Sequence, residues 1–357
     1  MATKGYGTYR GRSRVRTFLG FLIAALFLLL ILLTAAFFLL EPYIVYSADG
    51  IRIDLSFLPG RSDGEADPPP VETGPLTLAT PEPTPTPEPT PTPIPVFHGV
   101  ELFPQALYDG TAQSQVEAAG GNAAVFNMKT DEGSLEYISA LEKAVEAEVS
   151  AQNPAINAAI RLLNEDELYT VARVSCFRDN TVPRHNMGIT LRSSAGNWRD
   201  GGNYRWLSAA NPEARAYVIG VCVELAELGF DELLLDNCGF PTQGRTGIIV
   251  TGERYDPENL TRPLELFFAE LEEALSAYPE VKVSVRTSQA VLTGAGDLSG
   301  QTRELLAGHA WRIWVAEEDP TADYAAAAEE LGLTPERLVR SAGEVRPLGE
   351  SWVVINW

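Results

Sequence analysis

Residues 18–40, FLGFLIAALFLLLILLTAAFFLL, run for 23 residues without a charge. As a helix at about 1.5 Å per residue this segment is about 35 Å long, enough to cross a hydrocarbon core of about 30 Å with some tilt. A cleaved signal peptide has a shorter apolar run, about 7–15 residues, and a small-x-small cleavage site. This run is longer and ends in LLEPY, so it reads as a retained transmembrane helix. Lys4, Arg10, Arg12, Arg14 and Arg16 precede it and Glu41 follows it. The positive-inside rule then keeps residues 1–17 in the cytoplasm as a basic tail and exports everything beyond Leu40. The expected location is the cell membrane, single-pass, with a bilayer contact through residues 18–40 and the bulk of the chain extracellular.

The exported part divides by composition. Residues 41–60 hold two β-rich runs around Asp49-Gly50, a hairpin-turn dipeptide. Residues 61–95 carry 12 of the chain's 25 prolines and end in PEPTPTPEPTPTPIP. Such a segment favours extended polyproline II and cannot build a core, so it reads as a semi-rigid Pro/Thr-rich stalk reaching at most about 110 Å. Residues 96–357 carry 20 Lys/Arg against 39 Asp/Glu, most of the chain's net charge of −21. A surface this acidic argues against nucleic acid, because phosphate binding needs a basic face.

Within 96–357, short β-rich runs alternate with helical stretches. The strand candidates are 99–103, 123–129, 170–177, 232–237, 281–287, 311–316, 337–342 and 351–357; the clearest helices are 135–151, 212–229, 262–278 and 322–332. Asn211-Pro212-Glu213 is a good helix start, and Gly229 and Gly332 are good stops. Strand–helix alternation over about 260 residues, with eight strand candidates, predicts an α/β fold, a (β/α)8 TIM-like barrel. An open doubly wound sheet is the alternative, but no GxGxxG follows the first strand. Only 343–350 separate the last two strands, short for a crossover helix. Residues 152–168 and 178–210 read as insertions. The second is a long polar loop carrying Trp198, Tyr204 and Trp206, which suit stacking on sugar rings or covering a cleft, the alternative being that they pin the loop to the barrel.

In such a barrel the active site lies at the C-terminal strand ends. Asp236 ends the apolar run Leu233-Leu234-Leu235, and a carboxylate there must be paired or hydrogen-bonded. Lys129 and Asp131 follow the second strand and Arg178 the third; Asn237 follows Asp236; Arg286 ends the fifth; Trp314, Glu317 and Glu318 lie on or after the sixth. His98, His185 and His309 lack zinc-site spacing, and no cofactor motif is visible, so neither metal nor cofactor is expected. Three cysteines exclude a disulfide framework; a Cys176–Cys238 bridge and free core thiols both remain open.

FDELLLDNCGFP (230–241), VFNMKTDEGSLEY (125–137), ARVSCFRDN (172–180) and the stretch 197–232 together resemble, in order and spacing, a bacterial family of glycoside-hydrolase-type TIM-barrel domains distantly related to the α-amylase-like barrels. The resemblance covers roughly 97–316. It implies a glycosidase-type barrel in which Asp236 takes the place where related barrels carry a nucleophile. Lys129 and Asp131 match the strand-two polar motif, and Arg178 falls on the family's Lys. Two departures stand out: strand five reads VSVRTSQ, with Arg286 where the family carries an acid, and strand six reads WRIWVAEEDP. Glycoside hydrolysis normally needs two carboxylates. Glu317 or Glu318 is the first choice for the second, and Asp131 the next. Lys129, Arg178, Trp198, Tyr204, Trp206, Asn237, Arg286 and Trp314 are the substrate-binding candidates, with a polysaccharide or cell-wall glycan as partner. The alternatives are a barrel that binds carbohydrate without cleaving it, and a structural envelope protein.

Overall fold

The computed structural model describes residues 44–47, 50–53, 96–316, 323–342 and 350–354. The apolar run 18–40, and Glu317 and Glu318, lie outside the described residues. None of the described helices is long and apolar enough to cross a membrane. The chain divides into two compact units, Met1–Thr86 and Pro87–Trp357, and the division falls inside the Pro/Thr-rich stretch. In the first unit Ile44–Ser47 and Gly50–Ile53 pair antiparallel, as the two β-rich runs predict.

The second unit is a closed, all-parallel eight-stranded barrel. Its strands, in chain order and in order around the barrel, are β1 (His98–Leu102), β2 (Ala123–Lys129), β3 (Tyr169–Ser175), β4 (Glu232–Asp236), β5 (Lys282–Thr287), β6 (Ile313–Ala316), β7 (Leu338–Ala342) and β8 (Trp352–Val354). The barrel closes where β8 pairs with β1, Val353 opposite Gly99. Side chains alternate along each strand, and the inward set of the lower half packs one apolar layer: Phe97, Ala123, Val125, Val171, Leu234, Trp314, Val339 and Val353. The outward set packs beneath the helices in a larger core.

Those helices include α1 (Ala112–Ala118), α2 (Ile156–Asn164), α3 (Pro212–Glu227), α4 (Thr261–Ala274), α5 (Arg303–His309) and α6 (Tyr324–Glu330). The start of α3 follows its sequence: Asn211 Oδ1 accepts from the N–H groups of Glu213 and Ala214, and Pro212 occupies the first turn. Gly229, at φ 92°, ends it in the left-handed conformation.

The second crossover differs from expectation. Residues 135–151 do not form one helix; only Glu142–Glu146 is helical. From Leu135 to Ser139 every second residue is buried, the pattern of an extended segment. This segment turns back along β2, with Leu135 opposite Lys129. Glu224 of α3 anchors it, accepting from the Tyr137 and Ser139 hydroxyls at 2.8 and 2.7 Å and from Ala140 N. The crossover helix is instead α2, inside the stretch read as an insertion, and it buries Ile156 and Ile160, one turn apart. The long loop 178–210 folds into a short helix, a 3₁₀ turn and a two-residue ribbon.

Candidate functional site

Asp236 sits at the C-terminal end of β4, opposite Ser175 in register. Two guanidinium groups hold it. Its Oδ2 accepts from Arg173 Nη2 at 2.6 Å and Nε at 2.8 Å, and from Arg286 Nη1 at 3.0 Å. Its Oδ1 accepts from the Asn237 N–H at 2.7 Å. Burial pushes this carboxyl up, but Arg173 and Arg286 outweigh it and, with the hydrogen bonds, hold it well below the usual carboxylate range. Asp236 is therefore an anion at any ordinary pH.

Arg173 is the centre of the cluster, and sequence reasoning assigned it no role. Its Nη1 donates to Asn127 Oδ1 at 2.8 Å and its Nη2 to Asp131 Oδ1 at 3.1 Å, besides both bonds to Asp236. A signal was available: Arg173 shares the inward face of β3 with Val171, and a charge facing a barrel interior must find partners there. Because Asp131 Oδ1 and Asp236 Oδ2 bond the same nitrogen, they are separated by no more than the sum of those two distances.

Arg178 extends the network. It pairs with Asp131 Oδ2 at 2.6 Å and with Asp200 at 2.8 Å, and lies 4.3 Å from the Tyr204 ring centroid. Asn237 adopts φ 46°, a left-handed conformation that asparagine tolerates better than most residues. There its Nδ2 donates to Ser175 Oγ at 3.0 Å and to Asp131 Oδ1 at 3.2 Å. Two adjoining cavities open above the cluster. One, about 190 Å³, has Asp236, Arg286, Asp297 and Ala316 in its walls; the other, about 170 Å³, is walled by Arg178, Asp200 and Gln243. Trp206, Asn237 and Thr242 belong to both.

Three expected substrate contacts lie elsewhere. Lys129 is fully buried, paired with Asp179 at 2.9 Å and donating to the Ser175 carbonyl at 2.8 Å. Plain alternation would face it inward beside Asn127, but a bulge between the two shifts the register and sends Lys129 toward Tyr217 of α3. Trp198 is 1% exposed and its Nε1 donates to the Arg245 carbonyl, so it pins the loop rather than offering a face to sugar. Trp314, also 1% exposed, fills the apolar layer inside the barrel against Phe97. Of the loop aromatics, Trp206 reaches the cavities, its Nε1 held by Asp200 at 3.0 Å. Cys176, Cys222 and Cys238 are buried free thiols, so no Cys176–Cys238 bridge is formed. Among the described residues no cluster of His, Cys, Asp and Glu could hold a metal ion.

Solved structures align with the chain, and one of them shares its fold at a TM-score above 0.5. The glycoside hydrolase domain of PgaB (BpsB) from Bordetella bronchiseptica aligns over 74% of this chain and 94% of its own, at TM-score 0.52 and 14% identity. A hypothetical protein from Ruminiclostridium thermocellum aligns over 52% and 96%, at TM-score 0.44 and 23% identity. A chitinase from Chromobacterium violaceum aligns over 69% and 68%, at TM-score 0.39 and 14% identity. At these identities the likeness is one of fold. No curated protein matches the chain. Asp131, Arg173, Arg178, Asp236 and Arg286 all fall within residues 112–310, which match the family model described as "Putative glycosyl hydrolase domain", and this match over more than half of the chain places the protein in that family.

Proposed function

We propose that the protein is a membrane-tethered extracellular glycoside hydrolase acting on a cell-wall or environmental polysaccharide. The observation that carries this reading is Asp236, held as an oriented anion beneath the cavities at the C-terminal mouth of the barrel. In glycoside hydrolysis positive charge develops at the anomeric carbon, and a fixed carboxylate below the ring stabilises it or attacks it. Arginine pairing makes Asp236 a weaker nucleophile but a better leaving group when a glycosyl ester is hydrolysed. The reaction also needs a proton donor. Asp131, bonded to both Arg173 and Arg178, is placed to accept rather than to donate. Glu317 and Glu318 directly follow Ala316, which forms part of the Asp236 cavity, and we assign the proton donor to one of them. The apolar run 18–40 is the tether and residues 61–95 the stalk that sets the barrel off from the lipid.

A second reading is a barrel that binds glycan without cleaving it. It is favoured by the three N–H groups converging on Asp236 Oδ2, which leave that oxygen little freedom to attack. One experiment separates the two. Reducing-sugar release by the full chain is measured on α-glucans, β-glucans and purified wall material from acidic to neutral pH, alongside Asp236→Asn. Release abolished by the substitution supports the hydrolase; binding without release from any substrate supports the second reading.

A further inference from the structure

A third cavity, about 210 Å³, lies over the ends of β1 and β2 and is no part of the Asp236 pockets. Its walls include Phe103, Pro104, Asn127, Thr130 and Glu136. Phe103 is 68% exposed and presents its ring to solvent at the cavity wall. Its backbone is nonetheless fixed: Pro104 follows it, and its carbonyl accepts from Ala106 N at 3.0 Å to start a 3₁₀ turn. An exposed aromatic ring on a fixed backbone is a stacking face whose main chain needs no further ordering on binding.

Asn127, Thr130 and Glu136 in the same walls keep hydrogen-bonding capacity to spare. Asn127 uses its Oδ1 on Arg173, and its Nδ2 has no partner among the described residues. The Glu136 side chain likewise has no partner among the described residues, while its backbone N–H is fixed on the Met128 carbonyl. Burial raises the Glu136 carboxyl, so it remains a donor as well as an acceptor at higher pH than an ordinary glutamate. The Thr130 hydroxyl accepts from Ser134 N and keeps its own proton to give. A cavity lined by an apolar ring and by a mixed set of donors and acceptors suits a pyranose, which has an apolar face and a rim of hydroxyls. Through Asn127 and the Arg173 guanidinium, this cavity is one side chain away from Asp236.

Resting on the carbohydrate reading above, we propose that the cavity between Phe103 and Glu136 is a second sugar subsite, binding one pyranose of a glycan whose neighbouring residues lie over Asp236. The subsite makes affinity depend on chain length, since a short sugar fills one position and a longer one reaches both.

Isothermal titration of the full chain in detergent micelles, with maltose, cellobiose and chitobiose against their hexasaccharides, tests this. For the sugar series that binds, Phe103→Ala weakens the hexasaccharide about tenfold and leaves the disaccharide unchanged. Glu136→Ala shows the same selectivity. Trp206→Ala, at the Asp236 cavities, weakens both lengths. Equal effects of Phe103→Ala on both lengths, or none on either, overturn the subsite and leave the carbohydrate reading standing. No binding of any of the six sugars by the unaltered chain overturns both. Because Phe103 is exposed, a matching thermal melt confirms that its variant is folded.

Discussion

Strand β4 carries two buried acids on its inward face, Glu232 at its start and Asp236 at its end, and each is paired with arginine. Glu232 bonds Arg312 and accepts from the Tyr169 hydroxyl at 2.8 Å. Arg312 lies against Phe97, its guanidinium 4.8 Å from the ring centroid. Both are buried from solvent: Glu232 is 0% exposed and Arg312 2%. Asp236, two inward positions further along, has the same kind of partners but faces open space. The layer between them, Leu234 and Trp314 included, is apolar and seals one from the other. Arginine-paired carboxylates thus stand at both ends of β4, sealed at the base of the barrel and open at the mouth, and access to solvent makes the difference.

Paired substitutions sharpen that contrast. Asp236→Asn is expected to cut sugar release by about a thousandfold or more with the fold retained. Arg312→Ala strands Glu232 as an unpaired buried charge, and denaturant titration should show about 3–5 kcal/mol lost. The contrast breaks if the mouth substitution unfolds the barrel or if the base substitution leaves its stability intact. Trp314→Leu comes next. As a core filler it should cost about 2–3 kcal/mol and leave sugar affinity untouched, so a drop in affinity without a drop in stability would return Trp314 to the binding surface.

Acid titration gives a smaller effect. The folded-state value of Asp236 is depressed, so its stabilisation is complete above the ordinary Asp value of about 3.9 and is lost as pH falls below it toward the folded value. Unfolding midpoints between about pH 2 and 5 should fall less steeply for Asp236→Asn than for the unaltered chain. Glu136 has the opposite sign. Burial raises it, so its ionisation costs stability once pH rises through that raised value. Glu136→Gln should give a slight increase in melting temperature near about pH 7 and none near about pH 4.

Much of the barrel was legible. β2 matches its expected bounds at both ends, and α3 begins at the expected Asn211-Pro212 cap, because alternation and capping are local. The helix expected over 135–151 failed because apolar residues there satisfy a helical and an alternating pattern alike, and the extended form is fixed by partners outside the segment's own local pattern, Glu224 and Asn157 among them. At the site, Asp236, Asp131, Arg178, Asn237, Arg286 and Trp206 were named from their places at strand ends or in the long loop, and they converge. Arg173 and Asn127 were missed because they lie within strands rather than beyond them.

The sequence alone determined the strand–helix alternation, the composition break at the stalk, the charge-free run before it and the position of Asp236 at the end of an apolar strand. These are properties of neighbours along the chain, set by hydropathy, backbone preference and charge. Only the tertiary structure decided that Lys129 turns away from the mouth and that Trp198 and Trp314 are fillers. It also decided that Arg173 ties β2 and the loop beyond it to β4, by bonding Asn127, Asp131 and Asp236 at once. Those partners are distant in sequence and become neighbours only when the strands pair and the barrel closes, so no local pattern could announce them.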